Sequence, residues 1–122
     1  METITFAPDA FARDCASRVV LDRIGDRWTV LVVAALADGR LRFSELRKRI
    51  EGVTPKVLTQ TLRALERDGI VTREVFAEVP PRVEYELTDL GRHLLGPIEA
   101  IRLWAEKHAA GIVENRAAYD AR

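Results

Sequence analysis

A threonine and a proline fix the start of a helix at residue 55, and their surroundings constrain the fold more than any other stretch of the 122-residue chain. Thr54 is a good N-cap, because its hydroxyl oxygen can accept one of the amide protons that a first helical turn leaves free. Pro55 suits the first helical position, where a missing N–H is no loss. Leu58, Leu62 and Leu65 then form one apolar stripe, with Val57 and Thr61 at its margin. The pattern runs to about Asp68, and Gly69 ends it. Upstream, Ser44 predicts the start of a short helix over Glu45–Ile50, with Leu46 and Ile50 on one face, and Gly52 breaks it. Two short helices joined by a tight turn read as a helix-turn-helix unit.

The rest of the chain supplies partners for this unit. Residues 1–10 show no period, contain Pro8, and read as an arm. Phe11–Ile24 reads as a helix with Val20 and Ile24 on one face. Asp26 predicts the N-cap of a buried helix over Arg27–Ala37, closed by Asp38-Gly39. From Ile70 the period shifts toward two, and Val83–Leu87 alternates strictly. Two strands around a loop containing Pro80-Pro81 predict a β-hairpin. Thr88-Asp89 starts a last helix carrying Leu90, Leu94, Ile98 and Ile101, which Pro97 should kink or divide near His93–Gly96. After Gly111 the pattern is lost and fraying is expected. The expected fold is α+β: a mainly helical winged helix-turn-helix with a two-stranded hairpin wing and terminal helices. The expected organisation is an arm at 1–10, a domain at 11–110 and a tail at 111–122.

Charge separates along this frame although the formal net charge is zero. Arg40–Arg67 holds eight basic and three acidic residues, a net of +5, whereas Asp68–Asp89 carries a net of −4. A duplex-binding protein needs positive surface where it meets phosphate, not a positive total. On the second helix of the unit the leucine stripe leaves Lys56, Thr59, Gln60, Arg63 and Arg67 on other faces. Arginine can bond guanine and glutamine can bond adenine in a major groove, and residues near the helix N-terminus reach deepest. Lys56, Thr59, Gln60 and Arg63 are therefore the candidate base readers. Arg42, Arg47, Lys48, Arg49 and Arg67 are candidate phosphate contacts, as is Thr54 at the helix N-terminus, where free N–H groups favour an anion. Arg82 at the wing tip could enter the adjacent minor groove. Glu74, Glu78, Glu84 and Glu86 oppose this, so either they face away from DNA or only the tip touches it. A solvated basic helix beside a hairpin that merely covers the core is the plain alternative. A winged-helix protein-interaction module without sequence-specific DNA binding is the competing function.

Other chemistries have little support. One cysteine excludes an intrachain disulfide framework and a multi-cysteine zinc site within one chain. His93 and His108 are fifteen residues apart and sit in no metal-ligand motif. Neither a phosphate-binding glycine loop nor a hydrolase motif occurs, so no catalysis, metal or cofactor is expected. The longest apolar stretch, Thr29–Ala37, is far short of the ~20 residues a bilayer needs, and the acidic N-terminus is unlike a targeting peptide. A cytoplasmic location without membrane contact is the expectation.

Several segments together resemble the HxlR-type winged helix-turn-helix regulators of bacteria. They are Leu21-Asp22-Arg23-Ile24-Gly25-Asp26-Arg27-Trp28, Arg42-Phe43-Ser44-Glu45-Leu46-Arg47 and the long run Gly52–Glu66, followed by Asp68-Gly69-Ile70-Val71, Val79–Tyr85 and Leu87–Gly91. The resemblance implies a homodimer on double-stranded DNA with a palindromic operator and one recognition helix per half-site. It places the dimer interface on the terminal helices, here about 11–24 and 89–108, with Phe11, Val20, Leu94, Ile98, Ile101 and Trp104 as its candidate residues. It also implies that some members answer to an oxidant or another small-molecule effector. In some, a cysteine matched here by Cys15 is the redox sensor. This chain has Cys15-Ala16 where most relatives have Cys-Pro, and Asp26 where relatives commonly have glycine. Arg13 and Arg18 favour a thiolate at Cys15 and Asp14 opposes one. A cysteine that simply packs as an apolar residue is the other reading.

Overall fold

The computed structural model describes residues 8–122, so most of the expected arm lies outside the described residues. The elements are α1 (Ser17–Ile24), α2 (Arg27–Ala35) with a 3-10 turn at Leu36–Asp38, β1 (Leu41–Arg42), α3 (Phe43–Arg49), α4 (Pro55–Arg67), β2 (Val71–Phe76), β3 (Arg82–Leu87) and α5 (Asp89–Asp120). The strands form one antiparallel sheet in the order β1-β3-β2. The fold is the expected winged helix-turn-helix, with a third short strand added to the hairpin.

Local chemistry sets most boundaries. The Asp26 carboxylate accepts from Trp28 N at 3.3 Å and caps α2. Thr54 Oγ1 accepts from Val57 N at 3.2 Å, with Pro55 at the first position of α4. The other end of α4 closes with a two-bond motif around Gly69. Gly69 N donates to Glu66 O at 3.1 Å and Ile70 N to Leu65 O at 2.9 Å. Gly69 adopts φ 77°, the left-handed conformation this termination needs. Gly52, at φ 86°, makes the corresponding turn between α3 and α4.

Helix α2 runs through the middle, packed against α5, α4 and α3, with α1 laid on its outside. Val32, Val33, Leu36, Leu46, Leu58, Leu65 and Ile98 are fully buried, and the Leu62, Val71 and Leu87 side chains join them. Each helix alone is too short or too exposed to persist, so this shared core stabilises them together.

A tight joint ties α4, the sheet and α5 to one another. Thr88 Oγ1 donates to Gly69 O at 2.6 Å and accepts from Gly91 N at 3.1 Å, while Thr88 N donates to Ile70 O at 3.0 Å. The threonine thus caps α5 and pins it to the turn that ends α4. Gly91 lies so close to the Ile70 carbonyl that a Cβ there would collide with backbone.

Several boundaries depart from expectation. α1 begins at Ser17, not Phe11, because turns bonded from Ala12 N to Asp9 O and from Cys15 N to Ala12 O occupy the preceding residues. α3 begins at Phe43 and is not capped by Ser44. Instead Glu45 Oε1 accepts from Arg42 N at 2.9 Å. α5 is a single helix of 32 residues: Pro97 does not divide it and the tail does not fray before Asp120. Pro97 is solvent-exposed, where water can serve the carbonyl its ring leaves unbonded. Ala105, Ala109, Ala110, Ala117 and Ala118 favour helix over the far half by propensity, although its apolar side chains Ile112, Val113 and Tyr119 stay exposed. No helix among the described residues is long and apolar enough to cross a membrane.

Gly91→Ala should destabilise the subunit by about 1–3 kcal/mol, since the added methyl must displace main chain. A lowered urea midpoint with an unchanged m-value would show it.

Candidate nucleic-acid interface

The buried residues of α4 are Leu58, Thr61, Leu62 and Leu65. Their burial turns Lys56, Gln60, Arg63 and Arg67 outward as one stripe at steps of four, three and four, and all are solvent-exposed. Thr59 is half-buried at the edge of this stripe. The four expected base readers are therefore brought together on one helix surface. Arg47, Lys48 and Arg49 stand exposed in the last turn of α3, and Arg42 stands exposed just before that helix. Thr54 is exposed at the start of α4, with its hydroxyl engaged in the cap.

Ion pairing sorts the cations. Arg42, Arg47, Lys48, Arg49, Lys56, Arg63 and Arg67 have no carboxylate partner among the described residues, whereas Arg23, Arg40, Arg82 and Arg102 do. Arg40, which the sequence groups with the basic run, turns to the sheet. It sits 2.7 Å from Glu74, 3.0 Å from Glu86 and 3.7 Å from Glu84. The bonds to Glu86 and then Glu74 raise its already high pKa. The strand register puts Glu74, Glu84 and Glu86 on one face of the hairpin, together with Phe76 and Arg82. Val71, Arg73, Tyr85 and Leu87 share the other face, which meets the core and α4. The acidic residues of the wing thus gather on one side, largely neutralised, and leave the α4 side free of them except for Glu78 beside the loop.

Arg82 is not at the tip. It opens β3, with the loop 77–81 beyond it. Its guanidinium lies over the Phe76 ring, 4.1 Å from the centroid, and pairs with Glu78 at 3.1 Å. Its Nε is 2.8 Å from Glu84 Oε2 but without hydrogen-bond alignment. Held by two carboxylates and an aromatic ring, it is a brace across the base of the loop. Between α4 and the wing runs a groove of about 640 Å³, lined by Arg42, Thr59, Arg63 and Glu66 on one side and by Arg73, Arg82, Tyr85 and the loop on the other. Arg73 carries no sequence signal of its own, since its surroundings depend on the strand pairing.

The terminal helices expose apolar side chains. Phe11, Val19, Val20 and Leu21 stand out on the N-terminal side, and Ile101, Leu103 and Trp104 on α5. Ile98, expected at the interface, is instead fully buried in the subunit's own core, and Leu94 is half-buried against that core. Both fall on the side of α5 that covers α2, one turn before the helix leaves the body.

Cys15 is half-buried with Sγ 3.2 Å from Ser17 Oγ and 3.4 Å from Ser17 N. These hydrogen bonds, the hydroxyl first, hold the thiol below its ordinary pKa. Arg18 plays no part: its guanidinium donates to the carbonyls of Ala10 and Phe11. Among the described residues no group of His, Cys, Asp and Glu is arranged to hold a metal ion.

Comparison with known proteins agrees with this geometry. The chain is 47% identical over 96 residues to the uncharacterised HTH-type transcriptional regulator YtfH of Escherichia coli K12, covering 79% of this chain and 76% of that protein. The solved structure of ytfH from Salmonella typhimurium, assigned as a transcriptional regulator, superposes with a TM-score of 0.84 at 41% identity, over 91% of this chain and 99% of that one. The redox regulator HypR in its oxidised form superposes with a TM-score of 0.70 at 42% identity, over 76% of this chain and 96% of that one. The family model described as HxlR-like helix-turn-helix matches residues 23–112, and the chain belongs to that family of DNA-binding transcriptional regulators.

Proposed function

We propose that the protein is a sequence-specific regulator that binds a palindromic duplex operator as a homodimer and responds to oxidants through Cys15. The observation that carries the DNA reading is the stripe Lys56, Gln60, Arg63, Arg67, free of ion pairs and flanked by the free cations of α3. Desolvating an unpaired cation against phosphate releases counterions and needs no internal salt bridge to break. In this reading Lys56, Thr59, Gln60 and Arg63 touch base edges, while Arg42, Arg47, Lys48, Arg49, Thr54 and Arg67 hold the backbone.

The homodimer reading rests on exposed Phe11 in the turns before α1, Val20 on α1, and Ile101 and Trp104 on α5, which a lone subunit leaves in water. Two copies joined there would set two recognition helices about one duplex turn apart. The interaction-module alternative drew on the acidic wing. Arg40 and Arg82 already occupy that acidic face, which weakens it as a docking surface. The redox reading draws on a thiol whose pKa Ser17 lowers and on similarity to HypR, itself described as a redox regulator.

Selection of bound duplexes from a random pool, followed by sequencing, should recover an inverted repeat with reduced protein and a changed yield or spacing after diamide treatment. A pool with no enriched sequence would refute the regulator reading. In the same assay Gln60→Ala should relax choice at one position of each half-site, with about 1–3 kcal/mol of discrimination lost. Lys48→Ala or Arg49→Ala should weaken all duplexes alike.

The sole thiol makes Cys15 directly readable. Its alkylation rate by iodoacetamide should rise with a midpoint below that of a free cysteine, because Ser17 favours the thiolate. Ser17→Ala should move the midpoint to higher pH and slow the reaction at neutral pH.

A further inference from the structure

We infer that Arg73, not Arg82, is the wing's phosphate-binding cation, and that it acts with Arg63 as a clamp on one DNA strand along the groove between wing and recognition helix. The inference rests on the DNA-binding reading above and names a contact within it. Three observations converge. First, Arg73 is solvent-exposed and has no carboxylate partner among the described residues, whereas Arg82 is bound by Glu78 and Glu84 and covered by Phe76. Using Arg82 for phosphate would require breaking two ion pairs and a ring contact. Using Arg73 requires breaking none.

Second, the register pairs Arg73 with Tyr85, which places it on the hairpin face that meets α4. The glutamates paired with Arg40 lie on the opposite face. Third, Arg73 and Arg63 line one groove of about 640 Å³ from its two sides; Arg42 and Arg82 line it as well, Arg82 with its guanidinium already engaged by carboxylates. A phosphodiester backbone leaving the recognition helix toward the wing would run along this groove, with a guanidinium on each side. Glu66 and Glu78 also line it. Glu78 is neutralised by Arg82, which leaves the Glu66 carboxylate against three free guanidinium groups, those of Arg42, Arg63 and Arg73.

Edge strand β2 suits this use. Among the described residues its backbone is paired only with β3, and Arg73 is solvent-exposed on it.

Binding of a mixed-sequence duplex, followed across a range of salt, tests the inference with the full-length protein. Arg73→Gln should lower affinity for any sequence and reduce the slope of log affinity against log salt by about 0.9 per subunit bound. Arg73→Lys, which keeps the charge, should retain most of the slope. Arg82→Gln should leave the slope as in the wild type. A wild-type slope in Arg73→Gln with folding intact by thermal melting would overturn the inference while leaving DNA binding in place. So would a loss of slope confined to Arg82→Gln. Absence of any salt-dependent duplex binding by the wild type would overturn both this inference and the reading beneath it.

Discussion

The hydroxyl of Thr88 holds the architecture at its most crowded point. It caps α5, bonds to the carbonyl of Gly69 and sits beside the bond from its own amide to Ile70 O. Three elements meet there: the end of α4, the residue before β2, and the start of α5. Only glycine fits at Gly91, because the Ile70 carbonyl occupies the space of a side chain. With Gly69 supplying the left-handed turn, the chain leaves α4 in one direction only. The relation between α4, the wing and α5 is therefore fixed by the Thr88 hydroxyl, a main-chain hydrogen bond and close backbone contact, not by surface charge.

Charge acts on top of that frame, and pairing decides which charges are available. The net of +5 over Arg40–Arg67 overstates the free positive surface by one residue, because Arg40 faces three glutamates of the wing. The wing, which reads as acidic in sequence, becomes two-faced once paired. Alternation puts its glutamates on one side and leaves Arg73 on the other. An overall neutral chain can thereby present a locally cationic groove. Exposed ion pairs such as those of Arg40 contribute little stability, so their role here is electrostatic bookkeeping of the surface rather than cohesion.

Local signals were legible in the sequence and non-local ones were not. Thr54-Pro55, Asp26 and Thr88 each cap a helix through a bond spanning two or three residues, so each boundary follows from its own neighbourhood. The leucine stripe of α4 fixes which residues face outward, and that placed Lys56, Gln60 and Arg63 correctly on the surface. β1 escaped because two residues have no period; Leu41 and Arg42 become a strand only by pairing with Tyr85 and Glu84. Arg82 was misplaced at the tip for the same reason, since its partners come from strand geometry. Ile98 fits the apolar spacing of an interface and of a core equally well, and only the position of α2 assigns it to the core.

The length of α5 has a mechanical consequence. At 32 residues it spans about 48 Å, and its first turn is the one locked to the end of the recognition helix. Packing on α2 continues through Ile98, and beyond Arg102 the helix projects past the body as a rod fastened at one end. A small rotation about the fastened end sweeps the free end through a wide arc. Conversely, whatever grips the free end fixes the tilt of the attached head with a long moment arm. Fine angular aim of the body would then be set far from it.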